Sequence, residues 1–287
     1  MARQRPRRQS MTTRDRVGTG PSRRRRPASA RHPKSPGRLR RFTGALFGIT
    51  RTITVEGVRY KERSRTSLER ALGPRGKGSK VYEVRFPAGR PMTINATESR
   101  RYADLMPDPA LVSIERARRF IRPGQRVLIL GSGTGAIADQ IARWTGQHAG
   151  VIALEHDHES VRFARRRYAP PATSLERGGA ELLAGEMDGA FDAVVINQSY
   201  VYACEKPTVV WDEAWRLLAD EGQIIHLGGD PDHPASAPRV PEGLPVRAVT
   251  IDPPRGGLPI RVLTRITAPR GDQPNRTDEN DADNPTD

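Results

Sequence analysis

Apolar and polar positions alternate in two different rhythms along this chain. Between residues 42 and 108 the period is short. Ile53–Tyr60 and Lys80–Phe86 both alternate apolar and polar residues, which predicts strands with one buried face. Pro87-Ala-Gly marks a turn, and Arg90–Asn95 is expected to return as a further hairpin strand. From residue 109 the period lengthens. Leu111, Ile114, Ala117 and Ile121 recur at helical spacing, Pro123-Gly124 stops that helix, and Val127–Leu130 follows as an unbroken apolar run. A strand buried on both faces needs such a run. Helices are predicted over 136–145, 160–168 and 208–218. Strands are predicted over 151–154, 173–176, 193–196, 223–227, 246–251 and 260–267, the last two as an antiparallel pair. This alternation implies an α/β fold with a largely parallel sheet covered on both faces.

Charge changes the picture at the two ends. The net charge of +15 over 287 residues suggests a nucleic-acid partner until it is located. Residues 1–41 hold fifteen Lys/Arg against one acid, Asp15, and have almost no large apolar side chains. Such a segment cannot bury enough surface to offset its chain entropy, so 1–41 is expected to be a disordered Arg-rich tail. Clustered arginine supports non-specific nucleic-acid binding through counterion release, and that role is open for residues 1–41 beside that of a solvated extension. Residues 269–287 carry Arg270 and Arg276 against six acids and read as a disordered acidic tail. What lies between is only mildly basic. The expected organisation is therefore tail 1–41, a small β-rich extension 42–108, a main domain 109–268 and tail 269–287. No apolar run is long enough to span a bilayer, and a cytoplasmic protein is expected. The single cysteine, Cys204, excludes an intramolecular disulfide framework and shows no evident histidine partner. His156 and His158 lack further ligands at usable spacing, so no metal is expected.

The informative string is VLILGSGTGAIADQIARW followed by VIALEHDHE. Gly131, Gly133 and Gly135 stand where a buried strand becomes a helix, and without Cβ atoms they let the backbone turn sharply and a ligand lie close. Glu155 follows at the end of the next strand, where its carboxylate can accept hydrogen bonds from both hydroxyls of an adenosine ribose. Gly131, Gly133 and Ala136 also satisfy the looser dinucleotide pattern, which keeps NAD open. Trp211 and Trp215, one helical turn apart, read as core.

With its G-x-G-x-G triplet, the preceding helix and Pro-Gly, and two closing strands, the sequence resembles the class I S-adenosylmethionine-dependent methyltransferases over residues 109–268. The resemblance implies a Rossmann-like three-layer sandwich with a mostly parallel seven-stranded sheet, and S-adenosylmethionine as cofactor. By matching motif it implies that Gly131, Ser132, Gly133, Thr134 and Gly135 line the amino-acid and ribose parts of the cofactor. Glu155 would bind the ribose, His156 would flank the adenine, and Asn197 would stand near the cofactor at the end of the fourth strand. Two acids common in the superfamily are absent: Ile129 stands two residues before the first glycine, and Gly178-Gly179 follows the third strand. Asn197-Gln198-Ser199-Tyr200 is faintly similar to the N-P-P-Y box of enzymes that methylate amino groups.

The implied function is methyl transfer to an unknown acceptor. A sulfonium is already a strong methyl donor, so the enzyme mainly aligns the reactants and excludes water, and no catalytic residue can be named from sequence. Three alternatives stay open: an aminopropyl transferase or inactive relative of the spermidine synthase-like branch, a non-catalytic nucleotide-binding module with a nucleic-acid-binding tail, and an NAD-dependent oxidoreductase.

Overall fold

The short alternating segments form an antiparallel meander in the computed structural model, which describes residues 51–64, 79–98, 100–146, 150–168, 173–229, 237–253 and 255–266. The strands are β1 (Thr52–Val55), β2 (Val58–Arg63), β3 (Lys80–Arg85) and β4 (Met92–Ala96), hydrogen-bonded in that order. The single strand expected over 53–60 is in fact a hairpin. Glu56 and Gly57 both take positive φ, 47° and 82°, and Val55 pairs with Val58 across them. Two consecutive left-handed residues make the tight turn whose twist suits a hairpin, and alternation alone does not reveal it. The inner face buries Tyr60, Tyr82, Val84, Met92 and Ile94, which pack with Tyr102 and Phe163. The outer face exposes Thr54, Arg59, Lys61, Arg85 and Thr93.

After helix α1 (Pro109–Ala117), capped by the Asp108 side chain, the chain makes a 3-10 turn (Arg118–Phe120) and enters the second sheet. Its elements are β5 (Val127–Leu130), α2 (Ala136–Thr145), β6 (Val151–Glu155), α3 (His158–Arg167), β7 (Thr173–Arg177), β8 (Phe191–Asn197), α4 (Gln198–Ala203), α5 (Pro207–Leu217), β9 (Leu218–Leu227), β10 (Val246–Ile251) and β11 (Ile260–Arg265). The seven strands run in the order β10-β11-β9-β8-β5-β6-β7. β11 is antiparallel to both its neighbours, while β7, β6, β5, β8 and β9 are mutually parallel. This is a Rossmann-like mixed α/β fold.

The unbroken run of β5 is explained by its position. Val127 and Ile129 face the cluster that includes Ile114, Ile137 and Ile141, and Leu128 and Leu130 face the one that includes Trp211 and Trp215. All four are fully buried, each contributing about 1.5–3 kcal/mol by burial. The tryptophan pair is core, as its spacing predicts. Two local features differ from the expectation. Helix α4 has no counterpart in the periodicity, and β9 begins at Leu218, five residues before the expected start, with Glu221 at φ 61° and a register shift against β8.

The strand order reverses at β5, whose neighbours are β6 on one side and β8 on the other. Chain leaving β5 and chain leaving β8 therefore part at the carboxyl ends of these strands, opening a crevice there. The first sheet is fixed to the same region. Phe163 of α3 meets Tyr102 edge-on at 4.7 Å between ring centroids. Arg167, with an 8% exposed side chain, reaches Asp104 at 2.7 Å and Glu56 at 3.0 Å, and Asp104 also accepts from the Tyr60 hydroxyl. Among the described residues no helix is long and apolar enough to cross a membrane. The expected tails, 1–41 and 269–287, lie outside the described residues, as do residues 65–78 and 230–236.

Candidate functional site

The three glycines of the loop after β5 all take positive φ, but for different neighbours. A Cβ on Gly131 would lie 2.5 Å from Cβ of Tyr200, and one on Gly135 would lie 2.5 Å from Cβ of Ala164. Both are glycine because α4 and α3 come directly against the loop. Gly133, at φ 56°, faces open space: a Cβ there would meet no described atom within 4 Å. The loop is held from beneath: Gly131 and Ser132 donate their N–H groups to the Leu154 carbonyl at 2.9 and 3.1 Å. Ser132 and Thr134 are buried, and the Thr134 hydroxyl donates to the Arg101 carbonyl at 2.9 Å, tying the loop to the segment leading out of the first sheet.

Glu155, at the end of β6, joins the loop to the next turn. One carboxylate oxygen accepts from Gly133 N–H at 2.8 Å and the other from Asp157 N–H at 3.0 Å. Burial pushes this carboxyl up from its ordinary value, and these two backbone bonds pull it partly back. Asp157 caps α3 by accepting from Ser160 N–H at 2.7 Å. Arg100 binds Asp157 at 2.7 Å and Glu159 at 3.0 Å, so the segment leading out of the first sheet anchors the turn that follows Glu155.

His156 follows. Its ring lies on Tyr200 at 4.3 Å and 14° between planes, too close for another ring to enter between them, so that face is taken. Its Nε2 is 3.2 Å from Sγ of Cys204, whose thiol donates to the Tyr200 carbonyl at 3.3 Å. The expectation that Cys204 lacks a histidine partner is thus corrected: the two residues are 48 apart in sequence, and α4 brings them together. The pairing does not activate the sulfur, since burial and the Glu181 charge push its thiol up.

Two further residues escaped the sequence reading. Glu181 lies in the 3-10 turn (Ala180–Leu183) after β7, and its carboxylate returns to accept from Gly179 N–H at 3.2 Å. An acid therefore stands beside Gly178-Gly179 although none occupies those positions. Its charge is felt by Tyr200 and Cys204, whose proton affinities it raises together with burial. The other is His226 on β9, opposite Ile196 in the β8 register. Its Nε2 lies 2.6 Å from the Gln198 Oε1, and its ring meets Trp211 edge-on at 5.2 Å. Burial and the nearby Arg261 push His226 down to about 4, so it is neutral near pH 7. His226 Nδ1 and Gln198 Nε2 are buried without a hydrogen-bond partner among the described residues. Asn197 caps α4, accepting from the N–H and hydroxyl of Ser199 at 3.2 and 2.9 Å.

The glycine loop, Glu155 and His156 thus converge at the carboxyl ends of β5 and β6, with Asn197 and Tyr200 from the end of β8 packed against them. A cavity of about 460 Å³ lined by Asp188, Trp215, Arg216, Leu218 and Arg265 lies elsewhere, where β8 and β9 begin.

A family model described as "Methyltransferase domain" matches residues 127–222. An uncharacterised 37.1 kDa protein in transposon TN4556 of Streptomyces fradiae is 31% identical over 112 residues, covering 39% of this chain and 31% of that protein. A protein named "Probable cobalt-precorrin-6B C(15)-methyltransferase (decarboxylating)" from Thermoplasma volcanium is 29% identical over 89 residues, 30% of this chain and 43% of its own. The chain matches less than half the length of either curated relative. Among solved structures, TrmN from Thermus thermophilus aligns with TM-score 0.46 and 22% identity over 69% of this chain and 64% of that one. A SAM dependent methyltransferase from Aquifex aeolicus aligns with TM-score 0.41 and 16% identity over 54% and 89%.

Proposed function

We propose, from the premise that residues 127–222 form a domain of the class I S-adenosylmethionine-dependent methyltransferase superfamily, that this protein catalyses methyl transfer to an acceptor held at the crevice. The observation that carries the proposal is the contrast among the glycines. Gly131 and Gly135 are required by the chain's own packing, whereas Gly133 faces open space beside a half-buried carboxylate. That is the arrangement a ribose needs.

The residues present fit S-adenosylmethionine. Each Glu155 oxygen accepts one backbone N–H and keeps a lone pair for a hydroxyl donor. In this reading the backbone of Gly131, Ser132, Gly133, Thr134 and Gly135 lines the amino-acid and ribose parts, and His156 flanks the adenine. Glu181 supplies the carboxylate on the adenine side, and Asn197 stands where the crevice turns towards the acceptor. The bound cofactor supplies an electrophilic methyl on a neutral leaving group. The chain's share is to orient donor and acceptor and to keep water out, and an acceptor that arrives unprotonated needs no base.

Calorimetric titration with S-adenosylmethionine, decarboxylated S-adenosylmethionine and NAD tests the proposal. S-adenosylmethionine is expected to bind most tightly. Preference for the decarboxylated form would transfer the site to aminopropyl chemistry, and preference for NAD would sink both readings.

A further inference from the structure

We propose that the outer face of the four-stranded sheet binds the phosphodiester backbone of a single-stranded nucleic acid. The cross-strand register defines the surface. One row runs Thr54, Arg59, Arg85, and the next runs Thr52, Lys61, Glu83, Thr93. Arg59 and Arg85 therefore stand directly opposite each other on neighbouring strands, an arrangement of like charges that costs stability. Glu83 relieves it in part, its carboxylate lying 2.7 Å from Arg85, and leaves Arg59 and Lys61 without an ion pair among the described residues. Arg59, Lys61 and Arg85 are exposed, with Glu83 as the single acid in these two rows.

Two ordinary explanations for such charges do not apply. Cations often guard sheet edges against pairing with another chain. Here they lie on the central strands β2 and β3, while the edge strands β1 and β4 present Thr52, Thr54 and Thr93. Helix-end compensation is also excluded, since no helix end is involved. Nor are these two rows apolar: Tyr60 and Tyr82 point inward and are buried, and Val81, in the next row of the outer face, is itself buried.

The chemistry selects the ligand. Arg59 and Lys61 lie two residues apart on β2, about 6.8 Å at strand rise, comparable to successive phosphates along an extended single strand. Threonine hydroxyls flank them as neutral donors. A broad four-stranded face cannot enter the duplex major groove, which admits a helix or a two-stranded ribbon. Without exposed aromatic rings it cannot stack bases, so it recognises backbone rather than sequence. The Arg-rich residues 1–41 precede β1 in the chain, and the proposal assigns binding to the sheet face in addition to whatever they contribute.

The test uses the full chain with oligo(rU) and oligo(dT) of equal length. Replacing Arg59→Gln, Lys61→Gln and Arg85→Gln together is expected to reduce the slope of log affinity against log salt by about 2, at roughly 0.7 per phosphate released. A triple variant at the exposed Arg122, Arg247 and Arg255 (each →Gln) should leave the slope within about 0.5 of the unsubstituted protein. Equal losses in both triples would show a net-charge effect and overturn the proposal. A tenfold preference for either sugar would overturn backbone recognition, and a matching slope change on phosphatidylserine vesicles would show an indiscriminate anion surface. In the unsubstituted protein, bound oligonucleotide should protect Lys61 but not Lys206 from acetylation, read by mass spectrometry. Equal labelling of Lys61 with and without oligonucleotide would refute the site even if the triple variant misfolds.

Discussion

The two walls of the crevice are built differently. On the β5–β6 wall, Glu155, Asp157 and Thr134 each hold a hydrogen bond that fixes the loop or turn beside them. On the β8–β9 wall, Gln198 and His226 bond to each other but bury one nitrogen each without a partner among the described residues. The first wall is thus held by its own hydrogen bonds. The second keeps two polar nitrogens buried at a cost.

Substitutions can break or sharpen this contrast. The largest effect is expected at Gly135→Ala, where positive φ and a 2.5 Å contact with Ala164 combine. Thermal or urea unfolding should show a loss of about 3–5 kcal/mol from strain and overpacking. Gly133→Ala, with space around it, should lose only about 1 kcal/mol of stability while weakening S-adenosylmethionine binding. Equal unfolding losses at the two sites would erase the distinction on which the cofactor assignment rests.

His226 comes next. Its folded-state value, about 4, lies below the ordinary 6.5, so the unfolded chain takes up the proton first. The stabilisation is complete above about pH 6.5 and is lost as pH falls towards 4, by about 3 kcal/mol in all. His226→Phe should flatten that part of the melting-temperature profile; an unchanged profile would mean that another group controls it.

Glu155→Ala should weaken S-adenosylmethionine binding by about 1–3 kcal/mol, read by calorimetry. Because burial raises this carboxyl and hydroxyl donors favour its ionised form, affinity should fall as pH drops through a range above the ordinary carboxylate one. Glu155→Gln should remove that dependence. The smallest effect is expected at Thr134→Val, where losing the bond to Arg101 should cost about 1 kcal/mol in urea unfolding. A cost above that of Gly135→Ala would make the strap to the first sheet, rather than glycine packing, the main support of the loop.

Much of the layout was legible because the relevant signals are local. The apolar run of β5, the glycines that follow it and the acid at the end of β6 are separated by one strand–helix unit, whose geometry sets their distance. The hydrogen bond from Gly133 to Glu155 is a consequence of that spacing. The hairpin at Glu56-Gly57 leaves only a slip in phase, because the apolar positions move from Ile53 and Val55 to Val58 and Tyr60 across two polar residues, and a reading of one continuous strand passes over it. The Cys204–His156 contact, the return of Glu181 to Gly179 and the Gln198–His226 pair are hidden for another reason. Each depends on which strand ends lie side by side, or on how a turn folds back, and neither leaves a periodic signal.

The sequence by itself determined the α/β alternation, the position of the glycine loop and the acid that faces it, because burial period and glycine conformation act over a few residues. Only the tertiary structure decided that α4 and α3 occupy two glycines and leave the third open. Only the register of β2 and β3 placed Arg59 beside Arg85 at exposed positions of one face. Such neighbours are fixed by sheet order and cross-strand pairing, which couple residues far apart in the chain and are set by the packing of the whole core.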